Sequence, residues 1–385
     1  MNDHIISRIL SDTVQMHLKD FPVVAILGPR QSGKSTLVKK LLPINNILYL
    51  DLERPSDVNK LTDPELFFST QKDKIICLDE IQRMPNIFEI MRSFIDENER
   101  NGQFLILGSA SPDLLKQSAE TLAGRIVYKE LTPFLLYELQ SFFAEDQLNK
   151  YWLRGGFPRS FLATTDIASF EWRISFIRTF LERDIPVLGY KITSTNINRL
   201  LVMLAHSQGQ VVNYSKLGSS LGISYHTIQN YIDLLSQTYI VRILQPFEIN
   251  TKKRIVKSPK VYLRDTGLLH ALLNIESQTD LFSHPAFGPS WEGMAIENCI
   301  AMFPGWGASF YRTSSGAEID LILQKGDKKI AFEFKANKAP KLTEGFWNAF
   351  NEVKPGKTFV VSPVDEPYTI KENVIVCNIK HLSSI

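Results

Sequence analysis

The sequence predicts an α/β multidomain protein, and three observations carry that prediction. Strand-like apolar runs alternate with helical patterns through the first part of the chain. Three helical patterns and a pair of strand-like runs follow in the middle. A strictly alternating pattern around a Gly-Asp pair then marks a hairpin in the last hundred residues. At 385 residues the chain exceeds one ordinary core, which points to two or three domains.

The first part has apolar runs at Val23–Leu27, Ile47–Leu50, Ile75–Leu78 and Phe104–Leu107, and the helical patterns between them argue for a parallel sheet covered on both faces. Between the first run and a helix over Ser35–Leu42 stands "GPRQSGKST", residues 28 to 36. Gly28, four residues, then Gly33-Lys34-Ser35 is the spacing of a P-loop, and the strand before it and helix after it are the context that motif needs. The loop Gly28, Pro29, Arg30, Gln31, Ser32, Gly33, Lys34, Ser35 and Thr36 is the candidate cradle, its backbone N–H groups (all but that of Pro29, which has none) converging on phosphate oxygens. Lys34 would reach the β- and γ-phosphates and Ser35 would ligate Mg²⁺. A nucleoside triphosphate is the expected ligand.

Ligands of parallel sheets gather at the carboxyl ends of strands. The third run ends there in Asp79-Glu80, within "ICLDE". Asp79 is the candidate metal ligand, and Glu80 the group that orients or deprotonates the attacking water. Without a preceding P-loop such a strand end would be only a solvated edge. The fourth run ends in Ser109, which would contact the γ-phosphate or position water, or else cap the helix of "SPDLLKQSAETL", a task Ser111 could serve equally. Arg125 in "LAGR" is a candidate for stabilising phosphoryl-transfer charge in cis or in trans, against the ordinary surface role of an arginine.

These stretches carry a resemblance. "GPRQSGKSTL", "CLDEIQRMPN", "ILGSA", "LAGRIVYKELTPFLLYEL" and "GGFPR" are similar to the prokaryotic AAA-type ATPases that carry a C-terminal domain of unknown function. The likeness runs across nearly the whole chain. It implies an ATPase fold and ATP as the nucleotide, and leaves the cellular role open.

Bulk properties fit. The apolar fraction of 44% and charged fraction of 22% are those of a globular protein. With 43 basic and 41 acidic residues the net charge is only +2, so nucleic-acid contact requires a local patch. Cys77, Cys299 and Cys377 are far apart in apolar segments, which suits buried thiols in a reducing cytosol and offers no zinc spacing. No signal-peptide pattern or membrane-length apolar run is present, so a cytoplasmic location is expected.

In the middle, "YSKLGSSLGISYHTIQNYIDLL" places Leu217, Leu221, Ile223, Ile228, Ile232 and Leu235 where a helix-turn-helix needs apolar contacts. Gly222 would make the turn and Ser224 cap the second helix. That helix displays Tyr225, His226, Thr227, Gln229 and Asn230 to base edges or phosphates. "YIVRIL", then "NTKKRIVKSPK", then "VYLRD" resembles the wing of a winged helix, with Lys252, Lys253, Arg254, Lys257 and Lys260 as the densest positive patch. Salt-sensitive, sequence-indifferent DNA binding would follow if they line one hairpin. A structural lid, or a merely solvated face, is the competing reading.

"AEIDLILQKGDKKIAFEFK" reads as two strands around a Gly326-Asp327 type II′ turn. A two-residue turn sets Asp320 opposite Glu333 and Glu318 opposite Lys335, all on one face, with Ile319, Leu321, Phe332 and Phe334 on the other. Asp320, Glu333 and Lys335 match the D…E-x-K spacing of the PD-(D/E)xK nuclease-like fold, which they resemble. That fold wants a further glutamate on a preceding helix. In "GPSWEGMAIENCIAMF" the helical angle puts Glu292 at the edge of the apolar stripe and Glu297 away from it, so Glu292 is the candidate. The resemblance implies Mg²⁺ held by Glu292, Asp320 and Glu333 with Lys335 as catalytic group, against a surface hairpin with weak cross-strand ion pairs.

The expected units are an ATPase domain over 1–150, a helical linker and winged helix over 151–280, and a nuclease-like domain over 281–385. The leading expectation is an Mg²⁺-dependent ATPase that binds DNA, its nucleotide state controlling the C-terminal domains. An ATP-regulated endonuclease and a nucleotide-gated switch that docks a protein partner are the alternatives.

Overall fold

The computed structural model describes residues 6–42, 46–109, 118, 120–142, 145–187, 193–249 and 255–384. They fall into two compact units, Met1–Phe134 with Gln237–Tyr239, and Leu135–Ser236 with Ile240–Ile385.

The first unit is built on five parallel strands: β1 (Val23–Leu27), β2 (Ile47–Asp51), β3 (Ile75–Asp79), β4 (Phe104–Gly108) and β5 (Ile126–Glu130). Their order is β2-β3-β4-β1-β5. β1 and β4 are buried along their whole length, which is why both read as unbroken apolar runs. Alternation then divides their side chains between two layers. Val23, Ala25 and Leu27 pack with Phe68, Phe88 and Met91, whereas Val24 and Ile26 pack with Val14, Leu18 and Leu37. Asp79 and Glu80 thus emerge at the same sheet end as the loop after β1.

The second unit contains an eight-stranded mixed sheet, ordered β12-β13-β11-β10-β9-β8-β6-β7. Its strands are β6 (Val241–Pro246), β7 (Lys260–Leu263), β8 (Gly307–Arg312), β9 (Glu318–Lys325), β10 (Lys328–Phe334), β11 (Lys357–Val361), β12 (Tyr368–Lys371) and β13 (Val374–Cys377). The β9–β10 register pairs Lys325 with Lys328 and Leu321 with Phe332, as the two-residue turn requires. Gly326 has φ of 58°, while Asp327 is not among the residues of positive φ, the type II′ pattern.

Helices Ser194–His206, Tyr214–Leu221 and Tyr225–Gln237 occupy the expected middle stretch. Gly222 takes φ of 70° at the turn, and Ser224 Oγ accepts from the Thr227 N–H at 3.1 Å. The sequence reading did not single out Gly218, yet a Cβ there would stand 2.7 Å from the Ile223 carbonyl, so the chain after the turn passes directly over it. β6 and β7 form the expected antiparallel pair, but β6 also pairs parallel with β8. The hairpin is therefore part of the C-terminal sheet rather than a free wing. Lys252, Lys253 and Arg254 lie outside the described residues. All three cysteines are buried and free.

Candidate functional site

The loop after β1 is closely fitted. A Cβ on Gly28 would sit 2.3 Å from the Leu131 carbonyl oxygen, so only glycine passes there. Gly33 has φ of 100° and Gln31 of 60°, left-handed positions that fold the backbone into a concave turn. Arg8, missed by the sequence reading, is buried and donates to Ser32 O at 3.0 Å and Thr132 O at 2.6 Å. It fastens the loop to the segment after β5.

Lys34 is buried and donates to the Gly28 and Pro29 carbonyls at 3.0 and 2.9 Å. Burial pulls its pKa down to about 8, with Glu80 and Asp79 acting in the opposite direction. The helix that follows is α-helical only over Lys34–Thr36 and continues as a π-helix over Leu37–Leu41. Ser35 is half-buried and Thr36 exposed, with Pro29, Arg30 and Gln31 filling the rest of the turn.

Across the strand ends, Ser35 Oγ donates to Asp79 Oδ2 at 2.6 Å. The same carboxylate oxygen accepts from the Tyr49 hydroxyl, and Oδ1 accepts from the Glu80 N–H at 3.0 Å. Burial and the bond to Asp79 push the Tyr49 pKa up, keeping the phenol a donor. Glu80 is left-handed, φ 57°, a conformation costing about 1 kcal/mol or more for a residue with a Cβ, and Gln82 donates to its carboxylate. At the rim, Glu53 accepts from Arg83 at 2.9 Å, with Arg30 3.8 Å away. Ser109 is half-buried at the end of β4. Ser111 lies outside the described residues.

A triphosphate with Mg²⁺ suits this set. The Ser32 hydroxyl is buried without a partner among the described residues, an orphan polar group inside the loop. Ser35 and Asp79 offer adjacent hard oxygens, and Mg²⁺ binds by one or two protein oxygens and keeps several waters.

Arg125 is a correction as a group acting in cis. Its carbonyl accepts from Val23 N–H at 3.1 Å, at the beginning of β1, whereas the loop leaves the other end. Five strand residues, about 16 Å, separate the two levels. Its guanidinium forms a two-pronged pair with Asp96 at 2.7 and 2.9 Å, so within the chain it is a surface ion pair.

In the second unit the structure brings Glu292, Asp320, Glu333 and Lys335 into one cluster, with Asp320 and Glu333 buried and Glu292 and Lys335 half-buried. Glu292 projects from the helix Phe287–Met302. Phe334 N–H donates to Asp320 Oδ2 at 3.0 Å, and Lys335 donates to Glu333 at 2.6 Å. Asp320 and Glu333 are only 8% and 6% exposed, which rules out a solvated hairpin. The reason is that both sheet faces are covered: Ile322 and Ala331 pack with Phe346 and Ala349, and Phe332 meets Phe303.

Lys260 is a second correction. Instead of joining a solvent-facing basic patch it is 2% exposed, with Nζ 2.8 Å from Glu318, 3.4 Å from Glu292 and 3.8 Å from Asp320. Burial opposes its charge, but Glu292, Asp320 and Glu318 outweigh it and hold the pKa above the ordinary value. Burial, then the Asp320 charge, lifts Glu292 to about 7 and Glu333 well above the usual carboxylate range. Tyr262 donates to Glu292 at 2.6 Å. Neither Lys260 nor Tyr262 was legible as part of this site, because the pairing of β6, β7 and β8 decides it. Among the described residues no group of three His, Cys, Asp or Glu side chains stands in an arrangement ready to hold a metal ion, and the Lys260 ammonium lies among Glu292, Glu318 and Asp320. Glu297, set aside on helical angle, instead receives Arg242 and Arg264, the latter at 2.9 Å.

On the helix Tyr225–Gln237, Tyr225 is 44% exposed, with its ring edge-on to Tyr214 and His226. His226 and Asn230 are exposed, Thr227 and Gln229 half-buried. Lys257 is also exposed. Among the described residues no helix is long and apolar enough to cross a membrane.

Comparison with known proteins accords with this geometry. An AAA domain model matches residues 20–140, and two models of domains of unknown function, DUF8612 and DUF4143, match 145–279 and 287–382. An uncharacterized protein of Mycobacterium tuberculosis is 36% identical over 354 residues, spanning 92% of this chain and 79% of that one. One of Haemophilus influenzae is 27% identical over 377 residues, spanning 88% and 89%. Among solved structures, a Walker-type ATPase of Pyrococcus abyssi is similar with a TM-score of 0.49 at 13% identity, covering 71% of this chain and 97% of that one. The chain belongs to the AAA-type P-loop ATPases that carry a C-terminal DUF4143 domain.

Proposed function

We propose that the first unit binds ATP with Mg²⁺ and hydrolyses it at the carboxyl ends of β1, β3 and β4. The observation that carries this reading is the 2.6 Å contact of Ser35 Oγ with Asp79, beside a lysine buried within its own loop. Backbone N–H groups from Pro29's successor Arg30 through Thr36 bind the phosphates, aided by the helix dipole. Lys34 turns from the Gly28 and Pro29 carbonyls toward the β- and γ-phosphates. Ser35 and Asp79 would hold Mg²⁺, which would supply charge neutralisation on the phosphates. Tyr49 orients Asp79 by donating to it. Glu80 accepts the proton of the attacking water, and Ser109 positions that water or the γ-phosphate. The test is phosphate release by the full chain with ATP and Mg²⁺. Turnover by the wild type, lost in Lys34→Ala, supports the reading. Equal turnover in both removes the assignment.

A second reading concerns the helix Tyr225–Gln237, as a surface that meets DNA with nucleotide state controlling its engagement. A large aromatic left 44% exposed beside His226 and Asn230 favours it. Phosphate contacts by Lys252, Lys253, Arg254 and Lys257 would supply the salt-dependent part.

A further inference from the structure

We propose that the Lys260 ammonium is the built-in cation of the C-terminal carboxylate cluster, filling the place a divalent metal would take, so that this cluster works as a metal-free ionic clasp. The proposal stands apart from ATP hydrolysis by the first unit.

The argument is one of position and charge. Glu292, Glu318 and Asp320 come from a helix and a strand far apart in sequence, yet all three lie within 4 Å of one nitrogen. A metal ion bound by the same oxygens would need bonds of about 2.0–2.6 Å, and the ammonium occupies the space where those bonds would converge. An ammonium is also chemically suited to the place. It has three donors, and each can be directed to a different carboxylate. The stem is confined by the sheet, because Lys260 belongs to β7 and pairs with Leu244 of β6. Its Nζ lies 5.4 Å from the Phe310 ring centroid, so one aromatic face also favours a cation there.

Four carboxylates, Glu292, Glu318, Asp320 and Glu333, face Lys260 and Lys335 inside the cluster, with Arg312 3.5 Å from Glu318 at its rim. The set is therefore short of positive charge even with Lys260 present. Glu333 Oε2 has no partner among the described residues. Removing Lys260 would leave Glu292, Glu318 and Asp320 without the ammonium they share, a deficit of positive charge that a divalent cation relieves. The clasp has a structural consequence as well. β7 follows the Tyr225–Gln237 helix and its strand β6, and Lys260 ties it to the Phe287–Met302 helix and to β9 within the second unit.

The experiment is thermal melting of the nucleotide-free full chain, with and without Mn²⁺, for wild type, Asp320→Asn, Lys260→Met and Lys260→Met with Asp320→Asn. The wild-type melting temperature should not respond to Mn²⁺ in an Asp320-dependent way. Lys260→Met should melt lower, and Mn²⁺ should restore it, but not in the doubly substituted chain. Should Lys260→Met fail to fold without metal, Mn²⁺ present during refolding is expected to recover the native far-UV spectrum. A wild-type Mn²⁺ response abolished by Asp320→Asn would overturn the proposal. So would a Lys260→Met chain that Mn²⁺ neither stabilises nor refolds.

Discussion

Raising the pH from 7 to 9 should weaken nucleotide binding about tenfold, because Lys34 loses its charge within that interval. Burial lowers its pKa from 10.5 to about 8. That fall corresponds to about 3 kcal/mol of preference for the neutral amine in the free protein. At pH 7 roughly nine free molecules in ten carry the charged form, and at pH 9 roughly one in ten. If phosphate binds the charged form, apparent affinity falls in proportion to that fraction. The same group also sets the sign of a stability effect. A lysine whose folded pKa lies below its unfolded value costs stability in full below about pH 8, and the cost fades as pH rises toward 10.5. Stability of the free protein should thus gain from this group across the interval in which affinity drops. Affinity is measured by titrating a non-hydrolysable ATP analogue at constant ionic strength, in wild type and Lys34→Ala. Flat wild-type affinity from pH 7 to 9, or an equal slope in Lys34→Ala, would refute the reasoning.

Two further outcomes follow from packing and exposure. Gly28→Ala forces a Cβ against the Leu131 carbonyl, so it should destabilise by about 1–3 kcal/mol in a denaturant titration and lower nucleotide affinity; unchanged affinity would contradict the loop's fit. Tyr225→Ala combined with Asn230→Ala should weaken retention on DNA at low salt while the thermal melting stays near wild type, since both side chains are exposed. A wild type that binds no DNA at low salt would leave the helix as structural.

The first unit was legible because its signals are local. The P-loop spacing, the apolar runs and the acids ending β3 each occur within a few residues, and a parallel sheet places strand ends together without further information. Tyr49 escaped because its role depends on β2 lying beside β3, a matter of strand order. Arg8 escaped because its target is a backbone carbonyl, which leaves no mark in composition. Arg125 misled for a related reason: a residue just before a strand faces the sheet end opposite to one just after it. In the second unit the pairing from Lys325 with Lys328 to Leu321 with Phe332 followed from turn length alone. Ile319, expected on the face of Leu321 and Phe332, instead packs with Ile322 and Ala331, next to an irregularity in the β8–β9 pairing that turn length does not reveal. Helical angle separated Glu292 from Glu297. Lys260 was misread because a run of basic residues suggests a common solvated face. Its neighbours in sequence are not its neighbours in the sheet: Lys260 begins β7, a strand buried along its whole length, whereas Lys257 precedes it and is exposed.

The most direct test of the central claim is the split between affinity and turnover in Glu80→Gln. Glutamine keeps the size of Glu80 but accepts no proton from water. Nucleotide affinity and phosphate release are measured on the same preparation with Mg²⁺ present. The account predicts affinity within a few-fold of wild type and turnover reduced about 10²–10⁴-fold, the range expected for a lost general base. Turnover equal to wild type at equal affinity would contradict it.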